Sequence, residues 1–265
     1  MPGCYRLSLF ISLYVINKNK IMKITIKTLA VATSLGITVL AGNAQAADSG
    51  YINYRHQYLE DSKLHSDRVL IGIRLDNGLG FEGELKYKTG GSRKDVAFDN
   101  TVGDGHEFTA DYRYSLTPQW TIAPFISLVA VENATTYRTG ARLGYKVNNQ
   151  WTISGRYRYE ARKLDRNQVD NSVPDRAKRD QHVHRFDGWL GYAPGGKWSY
   201  EYNLVYFKAD YTRYNGKKND YEQALAFKYK LDKRWQPFFE VGDVKVNSTD
   251  SDRQMRLRVG VHYSF

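Results

Sequence analysis

The chain ends in Gln254-Met-Arg-Leu-Arg-Val-Gly-Val-His-Tyr-Ser-Phe265, a segment in which every second residue is apolar. Extended backbone sends successive side chains to opposite faces. Met255, Leu257, Val259, Val261, Tyr263 and Phe265 therefore make one oily face, and Gln254, Arg256, Arg258, Gly260, His262 and Ser264 the other. A period of two with arginine on the polar side is the pattern of a strand in an outer-membrane barrel. Turning a charged side chain toward lipid at mid-bilayer costs about 2–4 kcal/mol, so Arg256 and Arg258 are expected to look inward, into a lumen.

Mean hydropathy is −0.59, a value that suits a soluble protein, and no segment after residue 46 approaches the ~20 apolar residues of a spanning helix. A barrel removes the conflict, because its strands need only alternate residues to be apolar. The 21 tyrosines and 5 tryptophans suit the aromatic girdles that such barrels carry at both interfaces.

The N-terminus reads as a leader. Lys23 and Lys27 precede a largely apolar run from Leu29 to Leu40, and Ala44-Gln45-Ala46 is a small-x-small cleavage site, so residues 1–46 form the expected signal peptide. Met22 alone would start a leader of ordinary proportions, which makes residues 1–21 an expected misassigned start. The apolar run is too short for a spanning anchor. Taking away the leader's Arg6, Lys18, Lys20, Lys23 and Lys27 lowers the net charge from +11 to +6. Cys4, the sole cysteine, leaves with it, so residues 47–265 offer no disulfide, thiolate metal site or cysteine nucleophile.

From Ala47 onward the period-two pattern predicts about twelve strands: 51–58, 67–76, 80–88, 106–116, 120–131, 136–146, 151–162, 182–192, 197–209, 220–231, 234–244 and 253–265. Short turns rich in Asn, Asp, Pro and Gly follow the even strands. Longer polar loops (59–66, 89–105, 163–181, 210–219, 245–252) follow the odd ones, with 132–135 the short exception. The expected fold is all-β: a transmembrane antiparallel β-barrel over residues 47–265, long loops outside and both termini periplasmic. An open edge in lipid would leave backbone groups unpaired, so the first and last strands are expected to close the barrel.

With the apolar faces turned to lipid, the inward basic residues are Arg55, Arg68, Arg74, Lys86, Lys88, Arg113, Arg138, Arg142, Lys146, Arg156, Arg158, Arg162, Arg185, Lys228, Lys230, Arg256 and Arg258. Arg138, Arg142, Arg156 and Arg158 fall on one wall. Inward acids (Glu82, Glu84, Glu107, Asp111, Glu160, Asp187, Glu201, Glu222, Glu240) could pair with some of them, which would make those arginines structural. A net positive lumen with low-dielectric walls would concentrate anions. Arginine forks hold carboxylates with two parallel hydrogen bonds, and inward residues two apart on a strand lie about 6.6 Å apart, a ladder for a polymer with a carboxylate on each sugar. Tyr51, Phe125, Trp189, Phe207 and Phe238 are the inward aromatics, candidates for sugar stacking or simple packing.

Five segments carry a family resemblance: Tyr51-Ile-Asn-Tyr-Arg-His-Gln-Tyr58, Asp76-Asn-Gly-Leu-Gly-Phe-Glu-Gly-Glu-Leu-Lys-Tyr87, Arg185-Phe-Asp-Gly-Trp-Leu-Gly-Tyr192, Trp235-Gln-Pro-Phe-Phe-Glu-Val241 and Arg256 to Phe265. Together they resemble the small monomeric oligogalacturonate-specific porins of the KdgM type. The resemblance implies a twelve-stranded monomeric barrel with a narrow basic pore that passes acidic oligosaccharides from pectin breakdown. A sister branch handles sialic acid, and the arginine wall would serve either substrate.

Other function classes leave weaker traces. Asp180, His182, His184 and Asp187 at the top of one strand invite a rim hydrolase or a metal site, yet two histidines at i and i+2 with no further ligand make a poor metal centre. A closed structural barrel would need a plugged or fully neutralised interior. Duplex nucleic acid could not enter a tube. The expected partners are acidic oligosaccharides, outer-membrane lipid and the assembly machinery that reads the Phe265 strand, with no cofactor, no metal and no catalytic residue.

Overall fold

The computed structural model describes residues 47–165 and 180–265. The expected signal peptide and loop residues Arg166, Asp170, Asp175, Arg176, Lys178 and Arg179 lie outside the described residues. The strands are β1 (Ala47–Leu59), β2 (Leu64–Leu75), β3 (Leu79–Thr89), β4 (Thr101–Tyr112), β5 (Tyr114–Ser115), β6 (Trp120–Val131), β7 (Ala134–Lys146), β8 (Trp151–Leu164), β9 (Gln181–Tyr192), β10 (Trp198–Ala209), β11 (Asn219–Tyr229), β12 (Trp235–Lys245) and β13 (Arg253–Ser264). Apart from β4 and β5, each is antiparallel to its neighbours in chain order. β13 returns to β1 in the register Tyr51↔Ser264 to Leu59↔Arg256, and β4 pairs with β6. The sheet is closed, so no strand edge faces lipid.

β4 and β5 are one strand of the barrel with a break. His106↔Ala130 to Asp111↔Phe125 and then Tyr114↔Ile122 and Ser115↔Thr121 keep a single register against β6, which makes the barrel twelve strands around. The break falls at Arg113, whose backbone N–H donates to Gly78 O (2.9 Å) in the β2–β3 turn. β4 also starts at Thr101, five residues before the sequence expectation. A bulge near Gly105 breaks the period-two pattern there and hides the first part of the strand. Gly105 has φ +99°, and a Cβ would sit 2.6 Å from Ala130 O, so the bulge needs glycine. The expected loop 59–66 narrows to residues 60–63, because His65, Ser66 and Asp67 find cross-strand partners on β1.

The two faces invert the rule for soluble proteins. Ile126 (65 %), Phe108 (53 %), Leu85 (51 %), Ile153, Phe186, Leu204 and Val259 stand exposed on the outside, while Arg158 (7 %) and Asp187 (4 %) are buried within. An apolar belt of this kind has lipid as its solvent.

At the end with short turns the outside carries a repeated unit. Trp120, Trp151, Trp198 and Trp235 each open a strand, and their cross-strand partners are Tyr145, Tyr192, Tyr229 and Tyr263. The rings lie 4.5, 4.4, 4.8 and 4.6 Å apart. Three of the turns are held alike: Thr117, Asn148 and Asp232 accept hydrogen bonds from the two amides ending at the tryptophan. The result is a ring of amphipathic pairs at one membrane interface.

Candidate functional site

Cross-strand register decides which inner charges meet. Glu84 takes both Arg68 (3.1 Å) and Lys86 (2.9 Å). Glu107 takes Lys86 (3.0 Å) and Arg138 (2.7 Å), with Ser127 donating to it as well (2.7 Å). Glu160 takes Arg158 (2.7 Å) and, more loosely, Arg138 (3.7 Å). A ladder of alternating sign thus runs from β2 through β3, β4 and β7 to β8. Beside it Asp187, with no exposed side-chain surface, is clamped by Arg156 (3.0 Å) and Arg185 (2.7 Å).

The opposite seam repeats the scheme. Glu240 holds Arg256 (3.3 Å) and Arg258 (2.8 Å), Arg256 also reaches Glu222 (3.0 Å), and Arg258 donates to Gln57 (2.8 Å). Arg74 is tied to Asp111 (2.9 Å) and Gly78 O (2.8 Å) near the short turns. Most inner carboxylates are therefore shared between two cations. The ladder sets Arg68, Lys86, Arg138 and Arg158 against Glu84, Glu107 and Glu160, and Asp187 holds two arginines, so each of these groups leaves one positive charge over, while Arg256 and Arg258 are balanced by Glu222 and Glu240.

Four of the expected inward arginines have no carboxylate partner among the described residues: Arg55, Arg113, Arg142 and Arg162. Arg55 faces Arg68 across the β1–β2 pair and lines a cavity of about 400 Å³ with Tyr51, Asn53, Lys228, Phe238 and Glu240. Arg113 sits at the β4–β5 break, and Arg162 lies opposite Gln181 toward the long-loop end. Arg142 is held by Ser154 (2.7 Å) and lies over the Trp189 ring (4.3 Å). Arg156 also approaches the Trp189 ring (5.1 Å) and that of Phe125 (5.8 Å). Trp189 is thus an aromatic post between two guanidinium groups on one wall, since Arg142 and Arg156 are direct register partners.

At the long-loop end an arrangement appears that alternation along the chain does not reveal. Asp220 is buried among Lys245 (3.2 Å), Arg213 (3.6 Å) and Arg253 (3.9 Å), with Arg213 over Phe207 (4.2 Å) and Arg253 over Tyr221 (3.9 Å). Val183, Val205, Phe207 and Ala209 pack beneath, against Tyr211. The β10–β11 and β12–β13 loops are stitched together by Asn215 N–H to Asp250 O (3.0 Å) and Tyr214 Oη to Ser251 O (2.5 Å). The only hint in sequence is a run of aromatic and basic residues, Tyr211 to Lys218.

The rim constellation is not assembled as a catalytic group. Asp187 points inward to its two arginines, Asp180 meets Lys163, and His182 and His184 face outward, bonded through Nδ1 to the phenols of Tyr159 (2.7 Å) and Tyr157 (2.8 Å). No group of three or more acid, histidine or cysteine side chains among the described residues is arranged to hold a metal ion.

Comparison with known proteins agrees with this architecture. Protein YiiY of Salmonella typhimurium is 34% identical over 233 residues, 86% of this chain and 95% of its own length. The oligogalacturonate-specific porin KdgM of Dickeya dadantii is 30% identical over 254 residues, 92% of this chain and all of its own. The solved KdgM porin in complex with disordered oligogalacturonate superimposes with a TM-score of 0.60 at 28% identity, covering 81% of this chain and 99% of that one. The NanC porin shares the fold, with a TM-score of 0.66 at 22% identity over 80% of this chain and 98% of its own. Residues 40–265 match the family described as oligogalacturonate-specific porin protein (KdgM). A closed twelve-stranded barrel with an apolar exterior and a charged interior, matched from end to end by these relatives, belongs to the KdgM porin family of the outer membrane.

Proposed function

We propose that this barrel is a passive, monomeric outer-membrane channel for acidic oligosaccharides, oligogalacturonates in the first place, with the long loops outside and both termini in the periplasm. The observation that carries the reading is the excess of inner cations over the carboxylates they share, in the ladder from β2 to β8 and around Asp187, together with Arg142, a guanidinium beside Trp189 with no carboxylate partner among the described residues. A uronate carboxylate would take the open edge of Arg142 while the sugar ring meets aromatic surface. Arg55, Arg113 and Arg162 offer further weak holds, and release stays easy because no single site encloses the chain. The similarity to the KdgM porin solved with oligogalacturonate supports pectin-derived acids over other carboxylate sugars. Arg68, Arg74, Lys86, Arg138, Arg156, Arg158, Arg185, Arg256 and Arg258 line the same path, their field reduced by the carboxylates they hold.

The test is current block in a planar bilayer. Trigalacturonate added to one side should interrupt the wild-type current, and Arg142→Gln should weaken the block about tenfold, the worth of one charge-assisted hydrogen bond. Oligomers of sialic acid should block less well. Equal block of wild type and variant would remove Arg142 from the path.

A further inference from the structure

On the lumen face of the seam formed by β1, β13 and β12, the register sets inward side chains in rows of three. Gln57, Arg258 and Glu240 make one row, and it is filled: Arg258 donates to Gln57 (2.8 Å) and to Glu240 (2.8 Å). Two residues nearer the short turns the row is Arg55, Gly260 and Phe238, whose middle member has no side chain. Two residues further lie Asn53, His262 and Gln236. The five side chains of these last two rows line one cavity of about 400 Å³, at the low end of the range for small-molecule sites.

The cations around this cavity are unequally committed. Lys228 holds Glu201 (3.1 Å) and Arg68 holds Glu84 (3.1 Å), while a further hydrogen bond from Arg68 fixes the Asn53 side chain (2.8 Å). Arg55 has no carboxylate in contact among the described residues, and its Nε is buried without an acceptor. Across the row the Phe238 ring leans over Gly260, where a Cβ would sit 2.5 Å from it, and forms another wall of the cavity. β1 and β12 stand two strand spacings apart, about 10 Å. A guanidinium and an aromatic ring thus flank a gap as wide as one sugar residue.

We propose that this cavity is a second saccharide seat, which takes one hexuronate residue with its carboxylate on Arg55, its ring against Phe238 and its hydroxyls toward the amides of Asn53 and Gln236. The proposal deepens the reading of the lumen as a saccharide path and rests on it. What it adds is recognition of the sugar ring itself. Arg142 lies over Trp189, so that cation and that ring occupy each other, whereas Arg55 and Phe238 stand apart with room for a ligand between them. The two seats also face one another: β1 is reached from β7 through β6, β4, β3 and β2, close to half the circuit of the barrel. An uncharged ester of the same sugar keeps the ring contact and loses the carboxylate, which separates the two contributions.

The test is the dwell time of single block events in a planar bilayer, with trigalacturonate and its fully methyl-esterified, uncharged form as probes. Such events come only from folded, conducting barrels. Both probes should block the wild type, the ester more briefly. Phe238→Leu, which keeps an apolar chain over Gly260, should shorten the dwell of both about fivefold, the worth of one ring contact. Arg55→Gln should shorten the trigalacturonate dwell about tenfold and leave that of the ester unchanged. Equal ester dwell in wild type and Phe238→Leu would overturn the ring contact. An Arg55→Gln effect of one size on both probes, or on neither, would overturn the carboxylate contact. If trigalacturonate blocks the wild type and both variants alike, the seat falls while the acidic-saccharide channel stands. If the ester blocks the wild type as long as trigalacturonate does and Phe238→Leu shortens it, the preference for acids falls while the ring contact stands. Block by neither probe would overturn both.

Discussion

Arg142 and Arg258 both point into the barrel, from opposite walls on β7 and β13, and their surroundings differ in kind. Arg258 is wedged between Glu240 and Gln57, with Arg256 on the other side of the same carboxylate. Arg142 touches Ser154 and the face of Trp189 and meets no carboxylate among the described residues. The first arrangement is a girder: its cations hold the seam of β11, β12, β13 and β1 together. The second is a hand held open. The contrast teaches that a basic lumen is two populations of arginine, one committed to the protein and one left for a ligand, and that presence on the inner face does not by itself tell them apart.

The comparison breaks most visibly if a shared carboxylate is removed. Asp187→Asn would leave Arg156 and Arg185 around a neutral group in a fully buried position, and should cost about 3 kcal/mol in urea unfolding from lipid vesicles while making the channel more anion-selective. Glu240→Gln should act in the same direction by about 2 kcal/mol, since Arg256 keeps Glu222 and Arg258 keeps Gln57. Trp151→Ala, which removes one Trp–Tyr pair from the girdle, should cost about 1 kcal/mol beyond the area it uncovers and leave selectivity alone. Arg142→Gln sharpens the contrast from the other side: stability should stay within about 0.5 kcal/mol of wild type while substrate block falls.

The smallest effect concerns the turns. The amides of Trp235 and Arg234 donate to Asp232 and hold its carboxyl below the ordinary value. A carboxyl lowered by folding adds stability above its unfolded pKa, and that contribution is lost as the pH falls through the lower folded value. The β11–β12 turn should therefore loosen only in acid, and Asp232→Asn should remove this pH dependence, as amide exchange at Trp235 would report.

Strand number and facing were legible in the sequence because a slip of one residue would reverse every side chain of a strand. Twelve alternating segments with the strand arginines, Arg253 apart, on one phase leave little freedom. Trp189 and Phe125 fell on the inner face by the same rule, where they meet Arg142 and Arg156. The ion pairs were not legible, because they depend on the stagger between strands. Glu107 on β4 reaches Arg138 on β7 past the short Ser127 of β6, a contact no single strand encodes. The bulge at Gly105 broke the alternation that would have revealed the start of β4. The Asp220 cluster was hidden for a third reason: it joins two loops and three strand ends separated in sequence.

The central claim is that the inner cations outnumber the carboxylates they share, which leaves the lumen positive. The most direct test is the reversal potential of the purified barrel in a planar bilayer under a KCl gradient. The account predicts a potential displaced toward the chloride equilibrium value, and a further displacement in that direction for Glu240→Gln. A reversal potential at zero or toward potassium would mean that the carboxylates cancel or outweigh the arginines, and would contradict it.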